Sequence, residues 1–210
     1  MKYLITGGSG YLGSEIVNFL LNKGHDVLNL DILENNINNK NYSFNKVDIS
    51  DKKSLIDHFN NIDVVIHNVA KVPLIKNRKD FSNTNITGTK NVLDLSLENR
   101  VSKVVYISSS AVYGVSGISP IDETQIKYPA EKYGESKKIG EELCLEFQWV
   151  IALCHKSIDG FAVGRYALHI AWYVCTCLPR GNQVDGLPRA VNVNFEEKNI
   201  DISESVCSTD

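Results

Sequence analysis

Residues 2–13 read KYLITGGSGYLG, an apolar run followed at once by a segment in which four of seven residues are glycine. Glycine costs stability wherever its conformational freedom is not needed, so this segment must accommodate something that larger residues would obstruct. Apolar residues then recur at helical spacing from Leu12 to Leu20, and Gly24 stands where such a helix would end. The stretch therefore predicts a buried strand, a tight turn and a helix in direct succession.

The glycine spacing matches G-x-G-x-x-G from Gly8 to Gly13. Between a strand and a helix, this pattern lets a pyrophosphate approach the backbone at the positive end of the helix dipole. Asp31 ends the next apolar run, 18 residues after Gly13, where a carboxylate can accept hydrogen bonds from an adenosine ribose. No lysine or arginine occurs in DILENN (31–36), so the pattern favours NAD over NADP. The alternatives are an ordinary strand-to-helix turn at the glycines and a loop-starting residue at Asp31.

Strand-like and helix-like segments alternate along the first 147 residues. After the first strand and helix, apolar runs predict strands at 26–31, 42–49, 62–70 and 102–114, the last running into a polar turn. Helical spacing predicts helices at 54–59, 81–99 and 130–147. This alternation predicts an α/β fold with a Rossmann-type doubly wound parallel sheet.

Composition narrows the class of protein. The chain has 210 residues, of which 43% are hydrophobic, and a formal net charge of −3. These values predict a globular domain whose main partner is neither nucleic acid nor a membrane. There is no signal-peptide pattern and no run of 18 apolar residues, and the five cysteines have no framework spacing. We therefore expect a cytoplasmic protein with reduced thiols.

Tyr133 and Lys137 are four residues apart and share one face of the last predicted helix. Such a pair is common on solvated surfaces, but here ISSSAVYG (107–114) places hydroxyls at the end of the fifth strand. A phenol has a pKa of about 10, and a nearby ammonium and an oxidised nicotinamide both favour its ionised form. Tyr133 is therefore predicted to accept a proton from a substrate hydroxyl while a serine binds the same oxygen.

These motifs together resemble the extended short-chain dehydrogenase/reductases, in particular the NAD-dependent epimerase/dehydratase family that acts on nucleotide sugars. The resemblance covers residues 1–147 and rests on their order: TGGSGYLG, Asp31, VDI (47–49), HNVA (67–70), TNITGT (84–89), SSSAVYG and YGESK, with P-x-D-E (120–123) before the last. It implies Ser109 as the catalytic hydroxyl, with Ser108 and Ser110 as neighbouring alternatives. It also implies that Asn85 is structural, whereas we interpret His67 as a buried polar residue at a strand end.

The resemblance implies the following NAD-binding residues: Gly7, Gly10, Tyr11, Leu12, Gly13, Asp31, Asp48, Ile49, Val69, Ala70, Tyr133 and Lys137. Asp48 and Ile49 would lie against the adenine, and Lys137 would reach the nicotinamide ribose. The implied catalytic residues are Ser109, Tyr133 and Lys137. A homodimer formed through the TNITGT and YGESK helices is implied as well.

The reaction implied by the resemblance is epimerisation of a nucleotide sugar, a small-molecule substrate. Related 4,6-dehydratases follow the catalytic Thr with Asp and Glu, whereas this chain has Ser110 and Ala111, which cannot act as such bases. Two alternatives stay open. One is a reductase or dehydrogenase acting on a non-sugar alcohol or ketone, and the other is a non-catalytic dinucleotide-binding module.

The tail, residues 148–210, departs from the family pattern. Lysine falls from 15 residues in 1–147 to 2 in the tail and asparagine from 17 to 4, while four of the five cysteines and both tryptophans lie in the tail. Its histidines and cysteines match no zinc-ligand spacing, so we predict no metal. We predict a Rossmann domain at 1–147 and an atypical tail, with the substrate domain missing or replaced. The tail is either that of a genuine short variant, packed as an unfamiliar cap, or the product of a frameshift, which we favour. The chain would then be truncated, with low or absent activity.

Overall fold

The computed structural model describes residues 1–72, 81–115, 121 and 125–147 in full, and the backbone of 150–155, 172–176 and 189–193. The strands are β1 (Lys2–Thr6), β2 (Asp26–Asp31), β3 (Tyr42–Lys46), β4 (Val64–His67), β5 (Lys103–Ile107), β6 (Val150–His155), β7 (Trp172–Thr176) and β8 (Arg189–Val193). The α-helices are α1 (Tyr11–Asn22), α2 (Lys52–Leu55), α3 (Thr89–Glu98) and α4 (Lys132–Glu146).

The strands form one sheet in the order β3-β2-β1-β4-β5-β6-β7-β8. Strands β1 to β6 are parallel, and β7 and β8 join antiparallel. The predicted Rossmann-type doubly wound sheet is confirmed in its parallel part. The strand order reverses between β1 and β4, and ligands of such sheets bind outside the carboxyl ends of the strands at this point.

Two apolar clusters hold helices against the sheet. One includes Leu4 and Val65 with Leu93 and Leu95 of α3, and the other packs Val17 of α1 against the strands. All five of these side chains are at most 1% exposed, and burying each contributes about 1.5–3 kcal/mol. The near-continuous apolar runs of the strands follow from this covering on both faces.

The predicted elements are present, but several are shorter than predicted. Strand β3 ends at Lys46 instead of residue 49, and β4 spans Val64–His67 instead of 62–70. Gly24 follows the end of α1 with φ +79°, as predicted for a glycine that terminates a helix. The predicted helix at 81–99 begins instead as a π-helical segment, Ser82–Gly88, and becomes α-helical only from Thr89. The Thr89 hydroxyl donates to the Asn85 carbonyl at 2.7 Å, a side-chain bond of the kind that competes with regular helix pairing.

The fifth strand is shorter than predicted. It ends at Ile107, and Ser110–Tyr113 forms a 3-10 helix whose N-cap is Ser109. The predicted helix at 54–59 is likewise divided into α2 and a 3-10 turn, Ile56–His58. In the tail, three backbone segments extend the sheet as β6, β7 and β8. The domain boundary at 147 and the frameshift stay predictions, and most of P-x-D-E (120–123) lies outside the described residues.

Candidate functional site

A cleft of about 330 Å³ opens at the carboxyl ends of β1, β2 and β4, beside the point where the strand order reverses. It is lined by Gly7, Ser9, Gly10, Leu30, Asp31, Ile32, Leu33, Val47, Asp48, Ile49, Asn68, Val69, Ala70, Lys71, Val72 and Thr84. Seven of the predicted cofactor residues line this cleft, namely Gly7, Gly10, Asp31, Asp48, Ile49, Val69 and Ala70.

The glycine loop has no room for side chains at Gly7, Gly8 and Gly13, and at Gly8 the obstacle is the buried amide of Asn29. A Cβ on Gly7 would lie 2.7 Å from the Val69 Cα, and Gly7 has φ +75°. A Cβ on Gly13 would collide with the Gly7 carbonyl oxygen. The loop therefore packs tightly onto β4 and onto the start of α1. The backbone N–H groups at the N-terminus of α1 are left uncovered by side chains. Such groups are the ones that bind a pyrophosphate.

Asp31 is 9% exposed and fixes the far wall of the cleft. Its carboxylate accepts hydrogen bonds from the backbone N–H of Ser9 at 3.0 Å and of Leu33 at 3.1 Å. It thus joins the glycine loop to the segment that follows β2. A carboxylate has further lone pairs, so ribose hydroxyls can still donate to it. The residues that line the cleft therefore fit a dinucleotide with an unmodified adenosine ribose.

A polar cluster beneath the glycine loop was not predicted from the sequence. Asn29 in β2 is fully buried, and its side-chain oxygen accepts from the Gly8 N–H at 2.9 Å. Its amide donates to the Ser9 and Tyr42 hydroxyls, each at 3.0 Å. Asn35 donates to the Gly8 carbonyl at 3.2 Å. The one available signal was an asparagine within an apolar strand, because a buried amide needs partners.

The predicted catalytic residues meet at the carboxyl end of β5. Ser109 lies beside Tyr133 and lowers the pKa of its phenol, and the Ser109 hydroxyl accepts a hydrogen bond from the Ala111 N–H at 3.2 Å. Lys137 is 2% exposed, and its ammonium donates to the Ile107 carbonyl at 2.6 Å. It also lies 4.6 Å from the centroid of the Tyr106 ring. The structure therefore brings Ser109, Tyr133 and Lys137 to one place, although their catalytic roles stay predictions.

Three effects act on the pKa of Tyr133. Burial, the largest, raises this pKa, the hydrogen bond from Ser109 lowers it, and the charge of Glu131 raises it. The net pKa lies above the ordinary value of 10.0. Among these effects only Ser109 lowers the pKa of Tyr133 and so favours the phenolate. The predicted lowering of this pKa by the Lys137 ammonium stays a prediction.

The neighbouring serines have other surroundings. The Ser108 hydroxyl donates to Glu141 at 2.5 Å, and Ser110 begins the 3-10 helix. Of the three hydroxyls that the sequence left open, Ser109 is thus the one that contacts Tyr133. Ala111 carries no group that could move a proton.

Asn85 connects this catalytic end to the cleft. Its amide donates to the Lys71 carbonyl and to the Ser136 hydroxyl, each at 3.0 Å, and its oxygen accepts from the Lys71 N–H at 2.8 Å. Since Lys71 lines the cleft and Ser136 lies in α4, a cofactor in the cleft would extend towards Tyr133. The predicted structural role of Asn85 agrees with these bonds.

His67 is a buried, neutral side chain at the end of β4, as interpreted from the sequence. It is 1% exposed, and burial together with the charge of Lys137 lowers its pKa to about 3. Its Nδ1 and Nε2 lie 2.7 Å from the Thr6 and 2.9 Å from the Thr89 hydroxyl oxygens. The Thr89 hydroxyl already donates to Asn85, so Nε2 carries the ring proton and Nδ1 accepts from Thr6.

Five predicted cofactor residues do not line the cleft, namely Tyr133 and Lys137 at the catalytic end and Tyr11, Leu12 and Gly13 near the start of α1. Tyr11 begins α1 and is 81% exposed, Leu12 is partly buried, and Gly13 is buried against the Gly7 carbonyl. Gly13 thus contributes through the shape of the loop. Sequence reasoning also missed lining residues, including Asn68, Lys71 and Thr84, which lie in loops or in the π-helical segment.

None of the described helices is long and apolar enough to cross a membrane. No group of three or more His, Cys, Asp or Glu side chains among the residues described in full is arranged to hold a metal ion. The tail residues weighed for metal binding lie where side chains are not described.

The comparisons with known proteins agree with this geometry. UDP-glucose 4-epimerase of Halalkalibacterium halodurans is 35% identical over 156 residues, covering 71% of this chain and 46% of that protein. A crystal structure of UDP-galactose 4-epimerase matches with a TM-score of 0.64 and 30% identity, over 70% of this chain and 52% of the other. The Bordetella bronchiseptica enzyme WbmG in complex with NAD matches with a TM-score of 0.64 and 26% identity, over 73% and 52%.

The chain spans about half the length of these relatives. The model of the NAD dependent epimerase/dehydratase family matches residues 3–150, which is most of the chain and includes both the cleft and the catalytic end. The expectation of NAD as cofactor is confirmed for the family, whose members are NAD-dependent. The chain belongs to the NAD dependent epimerase/dehydratase family.

Proposed function

We propose that this chain carries the cofactor-binding and catalytic part of a nucleotide-sugar epimerase. The observation that supports this most is the position of Ser109 beside Tyr133, whose pKa it lowers, together with a cleft whose lining residues fit a dinucleotide. The substrate class is proposed from relatives named as UDP-glucose and UDP-galactose 4-epimerases.

NAD, when bound, supplies a hydride acceptor that can return the hydride to either face of a sugar carbon. The protein's own part is proton transfer and orientation. Tyr133 would take the proton from a sugar hydroxyl, and Ser109 would donate a hydrogen bond to the same oxygen. Lys137 would keep a positive charge close to the phenol and would reach the nicotinamide ribose. After the keto sugar turns, the same phenol would return the proton.

Dehydration is disfavoured by the residues that follow Ser109. The 3-10 helix places Ser110 and Ala111 next, with the Ala111 N–H bonded to Ser109. Neither side chain can act as a carboxylate base that removes a proton from the neighbouring sugar carbon. Epimerisation needs only the one proton-transfer group.

The test uses the purified full chain with NAD and either UDP-glucose or UDP-galactose. We expect NAD binding, and conversion of each sugar nucleotide into its epimer without net NADH formation. The rate of conversion should fall at least about a hundredfold in Tyr133→Phe. An unchanged rate in Tyr133→Phe, or a chain that fails to bind NAD, would contradict the proposal.

Two other functions give different results in the same assay. A reductase or dehydrogenase acting on a non-sugar alcohol or ketone would show net turnover of NADH or NAD. A non-catalytic module would bind NAD, and neither sugar nucleotide would change the redox state of the bound cofactor. Lys137 is buried and bonded to the Ile107 carbonyl, and Ser109 is half-buried beside Tyr133. These positions favour catalysis over the module, since a binding module needs no such arrangement.

We also propose a homodimer through α3 and α4. The two helices pack against each other, and Leu97 and Leu145 on them are 53% and 56% exposed. Exposed leucines on adjacent helices offer an apolar surface to a second copy. Light scattering should give a dimer mass that becomes monomeric in Leu97→Glu. A monomer at all concentrations would contradict this proposal.

The tail is proposed to be foreign to the family's continuation. The support is the change in lysine, asparagine and cysteine usage after residue 147, and the family match ends at residue 150. Activity would then be low because the residues that contact the sugar are altered. Translation of the other two reading frames past codon 147 tests this directly. If neither contains a strand-like run ending in Arg-Pro followed by Tyr-Gly-Pro, the tail is the native continuation.

A further inference from the structure

Beside the catalytic end lies a buried charged cluster to which the proposed reaction assigns no role. Glu141 in α4 is 6% exposed, and each of its carboxylate oxygens has a partner. Ser108 donates to Oε1 at 2.5 Å, and Lys127 donates to Oε2 at 2.5 Å. A carboxylate is rarely buried to this extent, and its position here depends on these two bonds.

Glu141 lies one helical turn after Lys137, on the same face of α4. Lys137 binds the carbonyl of Ile107, and Glu141 binds the hydroxyl of Ser108. Two successive turns of the helix thus hold two successive residues at the end of β5. The next residue is Ser109, whose hydroxyl contacts Tyr133 at the start of the same helix.

The second partner connects Glu141 to the segment that leads into α4. Residues 125–130 alternate between partly buried and exposed, and Lys127 is one of the inward positions. The segment also passes close to the catalytic turn, because a Cβ on Gly114 would meet the Tyr128 carbonyl. Glu141 is therefore the point at which the helix, the strand end and this segment are joined.

We propose that Glu141 is a positioning residue that holds Ser109 beside the Tyr133 phenol, acting through Ser108 and Lys127. This deepens the proposed function, on which the catalytic meaning of the contact rests. Glu141 itself neither accepts the substrate's proton nor touches the Tyr133 phenol in this arrangement. Its loss would free the end of β5 to shift away from α4.

The test measures the pKa of Tyr133 directly. Ultraviolet absorbance is titrated against pH in the full chain, and the curve of the same protein carrying Tyr133→Phe is subtracted. Burial and Glu131 raise this pKa, and the Ser109 hydrogen bond lowers it. When Glu141→Leu removes both bonds and displaces Ser109, the pKa of Tyr133 should rise, and the phenolate fraction at a given pH should fall about tenfold.

Two variants make the comparison specific. Glu141→Gln keeps the shape and can still bond to both partners, so the phenolate fraction should change by less than about twofold. Glu142→Gln is the matched control, because Glu142 is the next residue, is 59% exposed and pairs with Lys138 on the surface. It should leave the titration unchanged. In a protein that already carries Ser109→Ala, Glu141→Leu should cause little further change in the pKa of Tyr133, since the Ser109 hydroxyl that it positions is already absent.

The outcomes are decisive because the titration requires neither substrate nor turnover. A folded Glu141→Leu protein with an unchanged pKa of Tyr133 would overturn the proposal, as would an equal shift in Glu142→Gln. A lowered melting temperature without a shift in the titration would show a structural role only and would also overturn it. If Glu141→Leu does not fold, Ser108→Ala provides the same test and should raise the pKa of Tyr133.

Turnover gives an independent measurement. With a sugar nucleotide that reacts, Glu141→Leu should lower kcat about tenfold with little change in KM, because substrate contacts remain while Ser109 is displaced. If the unmodified chain binds NAD but turns over no sugar nucleotide, the altered tail accounts for the loss, whereas a chain that fails to bind NAD contradicts the proposed function. The role of Glu141 in holding Ser109 is still decided by the titration.

Discussion

The glycine loop (residues 7–13) and the catalytic end (the end of β5 with α4) are constructed in different ways. In the loop, space is the decisive property, since a Cβ at Gly7 or Gly13 would collide with backbone atoms. At the catalytic end, side-chain bonds are decisive, such as Lys137 to Ile107 and Ser108 to Glu141. The comparison shows that a site defined by the absence of side chains can be recognised from the amino-acid sequence. A site defined by side-chain contacts depends on residues that are far apart in the sequence.

The two regions should therefore fail differently. A methyl group added to the loop disturbs the backbone, so folding and cofactor binding are lost together. A group removed from the catalytic end leaves the backbone in place and affects proton transfer. The following predictions test this difference, beginning with the largest expected effect.

Gly13→Ala should abolish NAD binding and greatly lower the melting temperature. The added Cβ would meet the Gly7 carbonyl, and the Gly8 Cα would lie 2.7 Å away, so the loop cannot keep its path. Gly10→Ala is the matched control, because its Cβ would lie 3.5 Å from the Gly7 carbonyl, an ordinary contact. Thermal unfolding and NAD titration of both variants measure the difference. Equal behaviour of the two would show that space does not limit the loop.

Tyr133→Phe should lower turnover about 10²–10⁴-fold, the range for loss of a proton-transfer group, with NAD affinity almost unchanged. The ring can keep its packing against Phe81, whose centroid is 6.3 Å away. Tyr128→Phe is the control, since that tyrosine is 80% exposed. Rates and NAD dissociation constants of the variants provide the measurement. A large loss of NAD affinity in Tyr133→Phe would mean that the two regions are not separable.

His67 lies where the two regions meet, and its burial predicts a pH dependence of stability. Its pKa is about 3 in the folded protein and 6.5 ordinarily. Between these values the unfolded chain binds a proton that the folded chain does not, so the free energy of unfolding decreases as pH falls from about 6.5 towards 3. The change is of the order of a few kcal/mol.

Urea unfolding across this pH range measures the effect in the unmodified chain and in His67→Gln. The variant cannot take up the proton, so its stability should depend less on pH. His58→Gln places the same substitution in a partly exposed position and serves as the control. An identical pH dependence in His67→Gln and the unmodified chain would exclude His67 as its source.

Asp31→Ala should have the smallest effect, a loss of about tenfold in NAD affinity together with a narrower preference over NADP. The variant removes the acceptor for the Ser9 and Leu33 N–H groups, and the carboxylate that would repel a 2′-phosphate. Asp26→Ala, at the exposed amino end of the same strand, is the control. Calorimetric titration of the two variants and of the unmodified chain with NAD and with NADP measures these affinities. Equal or tighter NADP binding by the unmodified chain would contradict the preference for NAD.

Prediction from the sequence succeeded best where one residue's own properties decide the structure. Gly24 has the positive φ expected for the residue that ends α1, and Asp31 ends β2 in the cleft. Prediction was less successful where a side chain could form hydrogen bonds with several different residues. Three adjacent serines look alike in the sequence, but only in the folded chain does Ser108 bind Glu141 while Ser109 lies beside Tyr133.

The same limit explains the differences in the loops and in the helix at 81–99. Nothing in the local pattern distinguishes an α-helix from the π-helical segment Ser82–Gly88, which also holds Asn85 against Lys71. The bonds of Asn29 to Gly8 and Tyr42 join residues 21 and 13 positions apart. Such contacts follow from how the elements pack, so periodicity within one element cannot reveal them.

The sequence by itself determined the parallel sheet, the glycine loop and the position of a carboxylate after β2, because backbone freedom and apolar periodicity are local properties of the chain. Tertiary structure alone decided which serine meets Tyr133, how His67 is held neutral, and that Glu141 is buried between Ser108 and Lys127. These outcomes depend on desolvation and on hydrogen bonds between residues far apart in the chain, and both arise only when the helices pack against the sheet.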